Sequence, residues 1–204
     1  CRSRIVNINY SIDIYNTIME SENDGAIFLP VQRGLWYVFA SHALSKLNLD
    51  VSILFGLDGR SKGATLQRIV SQCQRLKTLY SGENILGFLN KYNVRTSKSI
   101  NERCWHKELM QAMIDFKKLH KTDFDKVAEC RSKIDAHDDD KKPSASTSMN
   151  QFREFAEFAD ELIGVVGLDY LNTGFKTTNR SAQEGGQSQL SNVLKDIFKL
   201  SKKI

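Results

Sequence analysis

The chain has 204 residues, 41% of them hydrophobic, and only two prolines, Pro30 and Pro143. That length fits one domain with a real core, and the composition excludes a disordered or collagenous class. The net charge of +5 suits a polyanionic partner, but so modest a basic balance selects no ligand by itself.

No apolar run approaches the roughly 18–20 residues that a bilayer span needs. The longest candidate, Val51 to Leu57, is far too short, and the opening Cys1-Arg2-Ser3-Arg4 has no apolar signal core. The expectation is a soluble, cytoplasmic protein with no membrane partner. The four cysteines (Cys1, Cys73, Cys104 and Cys130) are scattered, which predicts reduced and mostly buried thiols. A zinc site would need close ligand pairs and none is present, so neither a metal nor a cofactor is expected.

Taken in order, residues 4–22 place Ile5, Ile8, Ile12, Tyr15, Ile18 and Met19 at the three/four spacing of an amphipathic helix, stopped by Asn23-Asp24-Gly25. Pro30 suits a first helical position, and from it a long, strongly apolar helix runs to Gly56 through Leu35, Trp36, Phe39, Leu47 and Leu54. This helix is predicted to be central. Leu57 to Gly63 is a polar turn, after which Thr65 opens a helix that Ser81-Gly82 closes. Ile85 to Tyr92 reads as a short helix or a loop. Residues 99–120 are again amphipathic, and Ser99 with Glu102 has the capping-box form.

Thr122 starts the next helix, with Asp123 and Asp125 in its first turn, where negative charge suits the dipole. Phe124, Val127, Cys130 and Ile134 form its buried stripe, and it runs out in Asp138-Asp139-Asp140-Lys141-Lys142-Pro143. A polar linker leads to a sixth helix over 149–171, in which Phe152, Phe155 and Phe158 are core residues. A low-complexity loop follows, and a basic amphipathic helix from Leu190 to Leu200 ends the pattern. The fold class is all-α, an up-and-down helical bundle. Residues 1–172 form one helical domain, and 173–204 add a polar loop and a C-terminal helix packed on the same domain.

Chemistry concentrates at Arg131 and His137, with five residues between them. Six helical positions amount to roughly 120° around the axis and about 9 Å along it, so the two side chains do not stack on one face of one helix. Convergence requires a bend after Ala136, or the same helix from a second copy, which a two-fold dimer supplies. An imidazole that titrates near neutral pH and a planar guanidinium suit metal-independent RNA cleavage: the first moves a proton, the second meets the charge on phosphorus. The same residues also describe an ordinary helical arginine paired with Asp135 four positions on, and a histidine at a helix end.

The segment Cys130-Arg-Ser-Lys-Ile-Asp-Ala-His-Asp-Asp139 resembles the R-x(4–6)-H signature of HEPN domains. More narrowly, it is similar to the R-N-K-x-x-A-H-x-D form of the abortive-infection AbiU-type branch. The Trp36–Leu44 helix and the Leu54–Gly63 turn also look like that branch, so the likeness covers roughly residues 30–140. The resemblance implies a HEPN-type bundle that dimerises around the motif helices and cleaves RNA in phage defence, abortive infection or a toxin–antitoxin response. Arg131 would contact the scissile phosphate and His137 would transfer the proton, with Ser132, Asp135 and Asp139 in support. A homodimer, an RNA substrate and a cognate antitoxin protein are the implied partners. A non-catalytic HEPN-type module that binds RNA or a partner protein is the alternative.

Two positions depart from the pattern. Ser132 stands where an asparagine is common, and Asp139 where toxins neutralised by nucleotidyltransferases often carry tyrosine. The acidic run Asp138–Asp140 is best read as a solvated helix end offset by Lys141 and Lys142. Among the other histidines, His42 reads as a core or interface residue, and His106 and His120, flanked by lysines, as surface residues. The Gly59-Arg-Ser-Lys-Gly63 turn lacks the order of a phosphate loop. The basic segment Lys195–Lys203 reads as a charged outer face.

Overall fold

The computed structural model describes residues 1–23, 30–57, 65–76, 79–94, 104–135 and 147–173. Among these the chain is helical throughout, with α1 (Arg2–Asn23), α2 (Pro30–Phe55), α3 (Leu66–Cys73), α4 (Glu83–Lys91), α5 (Trp105–Leu119), α6 (Lys121–Asp135) and α7 (Met149–Leu171). No strand occurs among the described residues. The predicted C-terminal helix, the Leu57–Gly63 turn beyond its first residue and the Ser99/Glu102 capping box lie outside the described residues.

Helix α2 is central, as its apolar composition predicts: it packs against α1, α3, α6 and α7. Its last residue, Phe55, touches four aromatic rings, those of Phe116, Phe124, Phe155 and Phe158. Around it Phe124 stacks on Phe155 at 4.3 Å and Phe116 on Phe158. The Phe152, Phe155 and Phe158 spacing is thus core, each ring fully buried. Burying one such ring stabilises by roughly 1.5–3 kcal/mol before packing terms.

The end of α2 is built for a sharp stop. Gly56 adopts φ +63, the left-handed conformation that glycine takes at low cost. The amide of Leu57 reaches back to the Ser52 carbonyl at 2.9 Å and that of Gly56 to Ile53 at 3.2 Å, the paired bonds of a Schellman cap. Lys117 of α5 donates to the Phe55 carbonyl at 2.7 Å, adding a cation at the negative end of the helix. Burial holds the Lys117 ammonium below the usual lysine range.

Helix α3 ends at Cys73, earlier than the sequence periodicity suggests. The chain leaves it through a turn at Gln74–Arg75 and brings the Tyr80 amide to the Asp169 carbonyl at 2.7 Å. The fully buried Asp169 carboxylate then accepts from Ser81 Oγ (3.1 Å), Asn84 Nδ2 (2.6 Å) and the Ile85 amide (2.8 Å). A side chain of α7 therefore caps the N-terminus of α4, satisfying donors that a helix leaves open there. Gly82 makes the entry at φ +91, and a Cβ at that position would meet Trp105 Cζ2 at 3.0 Å.

A second buried carboxylate fastens α1 to α2. Asp50 is fully buried; Arg4 Nη1 lies 2.5 Å from its Oδ1 and Lys46 Nζ 2.9 Å from its Oδ2. The α1–α2 pair extends beyond this clamp as a smaller apolar cluster in which Ile18 and Ala40 are packed by Ile14, Tyr15 and Trp36. No helix among the described residues is long and apolar enough to cross a membrane. None of the four cysteines forms a disulfide; Cys73 and Cys130 are buried and Cys1 and Cys104 partly so.

Candidate functional site around Arg131

Helix α6 places Phe124, Val127 and Cys130 in the core at three-residue spacing, and this stripe sets its rotation. Arg131 follows Cys130 and stands at the edge of the buried stripe, half-buried, on the side facing α2. Its Nη1 donates to Ser52 Oγ at 3.0 Å. Ser52 is fully buried in α2, three residues before the Phe55 ring that packs on Phe124. The α2–α6 seam therefore carries an aromatic contact and, one helical turn along, a guanidinium–hydroxyl bond.

Asn48 lies one turn before Ser52, on the same face of α2. It is 3% exposed, its Nδ2 donates to the Leu44 carbonyl at 2.8 Å, and its Oδ1 has no hydrogen-bond partner among the described residues. Asp50 sits two residues from Ser52, about 200° around the helix. The Arg4–Asp50–Lys46 cluster thus belongs to the α1 side of α2, away from Arg131.

The other residues of the motif behave as follows. Ser132 is exposed, and its Oγ donates to the Glu129 carbonyl at 2.9 Å, so its hydroxyl is engaged by its own helix. Asp135 is the last residue of α6; its side chain lies outside the described residues, as do His137 and Asp139 entirely. No group of three or more His, Cys, Asp or Glu that could hold a metal ion occurs among the described residues.

Two histidines stand out against the sequence expectation. His42, expected in a core or interface, is exposed on α2 in the single chain, so it is not a core residue there. His120, expected at the surface, has a side chain only 11% exposed. It closes α5 and turns the chain into α6, which points its ring at Phe116 (4.4 Å between centroids) instead of at solvent. Its Nδ1 meets Gln151 Nε2 at 2.8 Å, and its Nε2 lies 3.3 Å from Glu154 Oε1. Gln151 Nε2 also donates to Glu154 Oε2 at 2.7 Å. His106 is half-buried, with the Cys104 thiol 3.5 Å from its Nδ1.

Ser52 and Asn48 were silent in the sequence reading. The signal was present as Leu47-Asn-Leu-Asp-Val-Ser-Ile53, a polar residue at every second position of an apolar helix, which must bury at least some of them.

Compared with protein-family models, curated proteins and solved structures, the chain matches none.

Proposed function

We propose that this chain is a metal-independent endoribonuclease of the HEPN kind, acting in phage defence, abortive infection or a toxin–antitoxin response, with its site assembled by two copies. The observation that carries the reading is Arg131 itself: a half-buried guanidinium, held by Ser52 on the edge of α6, six positions before a histidine in the sequence. In the reaction, the ribose 2′-oxygen attacks the adjacent phosphorus while His137 takes its proton. The P–O5′ bond breaks, the 5′-oxygen leaves with a proton from the imidazolium of the second copy's His137, and a 2′,3′-cyclic phosphate remains. Arg131 meets the charge that grows on the phosphoryl oxygens. On an ideal helix Arg131 and His137 would lie roughly 120° apart, which is the reason for a second copy, whose own Arg131 and His137 would complete the cleft.

The test is His137→Ala, assayed for RNA cleavage in the presence of EDTA and for toxicity in cells. Loss of both supports the reading, and unchanged cleavage removes His137 from it.

A second reading, a non-catalytic module of the same kind that binds RNA or a partner protein, is favoured by one feature. Leu35, Val38 and Phe39 lie at three/four spacing on α2, each about half exposed. An apolar row of this kind suits a protein contact. This reading expects RNA binding that survives His137→Ala and weakens with Arg131→Ala.

A further inference from the structure

We infer that Ser52 is a positioning residue for Arg131: its buried hydroxyl fixes the plane of the guanidinium that receives a phosphodiester. The inference rests on the proposed ribonucleic-acid reading and extends its site from α6 to α2.

A serine hydroxyl inside an apolar helix is costly unless bonded, and the bond that Ser52 makes across the seam is to Arg131 Nη1. The guanidinium is planar, with five N–H donors in a fixed fork, so anchoring one nitrogen restricts where the others point. Ser52 is itself held from two directions: its carbonyl accepts the Leu57 amide of the α2 cap, and Phe55, one turn on, is locked among four rings. The anchor is thus rigid. Ser132, next to Arg131, is bonded to its own helix, its Oγ donating to the Glu129 carbonyl.

The experiment uses the full chain and a short single-stranded oligouridine RNA. Binding is measured over a salt series for the wild type, Ser52→Ala, Ser52→Cys, Ser52→Thr, Arg131→Gln and the Ser52→Ala/Arg131→Gln pair. Cysteine fits the serine site with a much weaker acceptor, so it serves if alanine compromises folding. Ser52→Ala or Ser52→Cys is expected to weaken binding about tenfold, as losing a bond to a charged group does. It should also lower the slope of log K against log salt by about one phosphate contact. Threonine should restore both, and Ser52→Ala should add nothing once Arg131 is gone. If Arg131→Gln weakens binding while Ser52→Ala and Ser52→Cys keep the wild-type affinity and slope, the seam bond is only a structural staple and the inference fails alone. If Arg131→Gln binds as the wild type does, or the wild type binds no RNA, the functional reading fails and takes the inference with it.

Discussion

Arg131 Nη1 donates to Ser52 Oγ at 3.0 Å, and this bond joins residues 79 positions apart across the seam of α2 and α6. It places the one cation of the R-x(4–6)-H segment that the structure describes on a fixed support. Substituting Arg131→Lys keeps the charge but offers a point ammonium in place of a planar fork. Lysine is expected to restore RNA affinity in part, and to leave cleavage at least tenfold below wild type if the guanidinium meets the transition state. Comparing binding and single-turnover cleavage for Arg131→Lys separates the two contributions.

The clamp between α1 and α2 depends on Asp50. Its carboxylate is fully buried between Arg4 and Lys46, so Asp50→Ala leaves two cations facing an emptied site. The expected loss is about 2 kcal/mol, because Arg4 and Lys46, 30% and 45% exposed, lose a charged hydrogen-bond partner but keep contact with water. Urea unfolding checks this, and a loss under about 1 kcal/mol would mean that water already shares the site.

Phe55 sits where α2 meets α5, α6 and α7. Phe55→Ala removes contacts to four rings at once, and about 3–5 kcal/mol of destabilisation is expected for a cavity of that kind. Because α6 leans on the same ring, the variant should also loosen Arg131, read as faster amide exchange along α6 than along α4.

Asp13 supplies a pH-dependent expectation. Burial raises its carboxyl above the ordinary aspartate range, and the charge of Arg153 only partly opposes this. A raised acid favours the protonated folded form, so its contribution is present below the unfolded value near 3.9 and is lost as pH rises through the folded one. Asp13→Asn should therefore be more stable than wild type at pH 7, with the advantage gone at pH 3. Thermal melts at the two pH values decide it.

Thiol reactivity separates the cysteines. Burial pushes the Cys73 thiol up to about 11, and its Sγ donates to the Ile69 carbonyl. At pH 8 a small alkylating reagent should modify the half-buried Cys104 and leave Cys73 untouched until the protein unfolds. Peptide mapping of the labelled chain reads this directly.

Local periodicity made the helices legible, because the apolar spacing in α1, α5, α6 and α7 and in the second half of α2 matches the faces they bury, while Leu35, Val38 and Phe39 at the start of α2 stay half exposed. What was not legible came from far along the chain. Ser81-Gly82 and the Ile85–Tyr92 stretch point to a break and then a short helix or a loop, but the early stop of α3 at Cys73 and the capping of α4 by Asp169 of α7 have no local signal. His120 looks exposed between lysines until Gln151 and Glu154 close over it. His42, core or interface by its apolar stretch, lies exposed on α2 beside Lys46, which removes the core alternative. At the site, the motif named Arg131 but not Ser52, since a serine among leucines acquires meaning only when α6 is laid against it.

The most direct test is cleavage of a single-stranded oligoribonucleotide in EDTA, with the ends of the products identified for the wild type and Arg131→Ala. The expected result is fragments ending in 2′,3′-cyclic phosphate from the wild type, and a rate at least a hundredfold lower without the guanidinium, about the scale of losing one transition-state contact. No cleavage by the wild type, or an unchanged rate in Arg131→Ala, would contradict the assignment of the site.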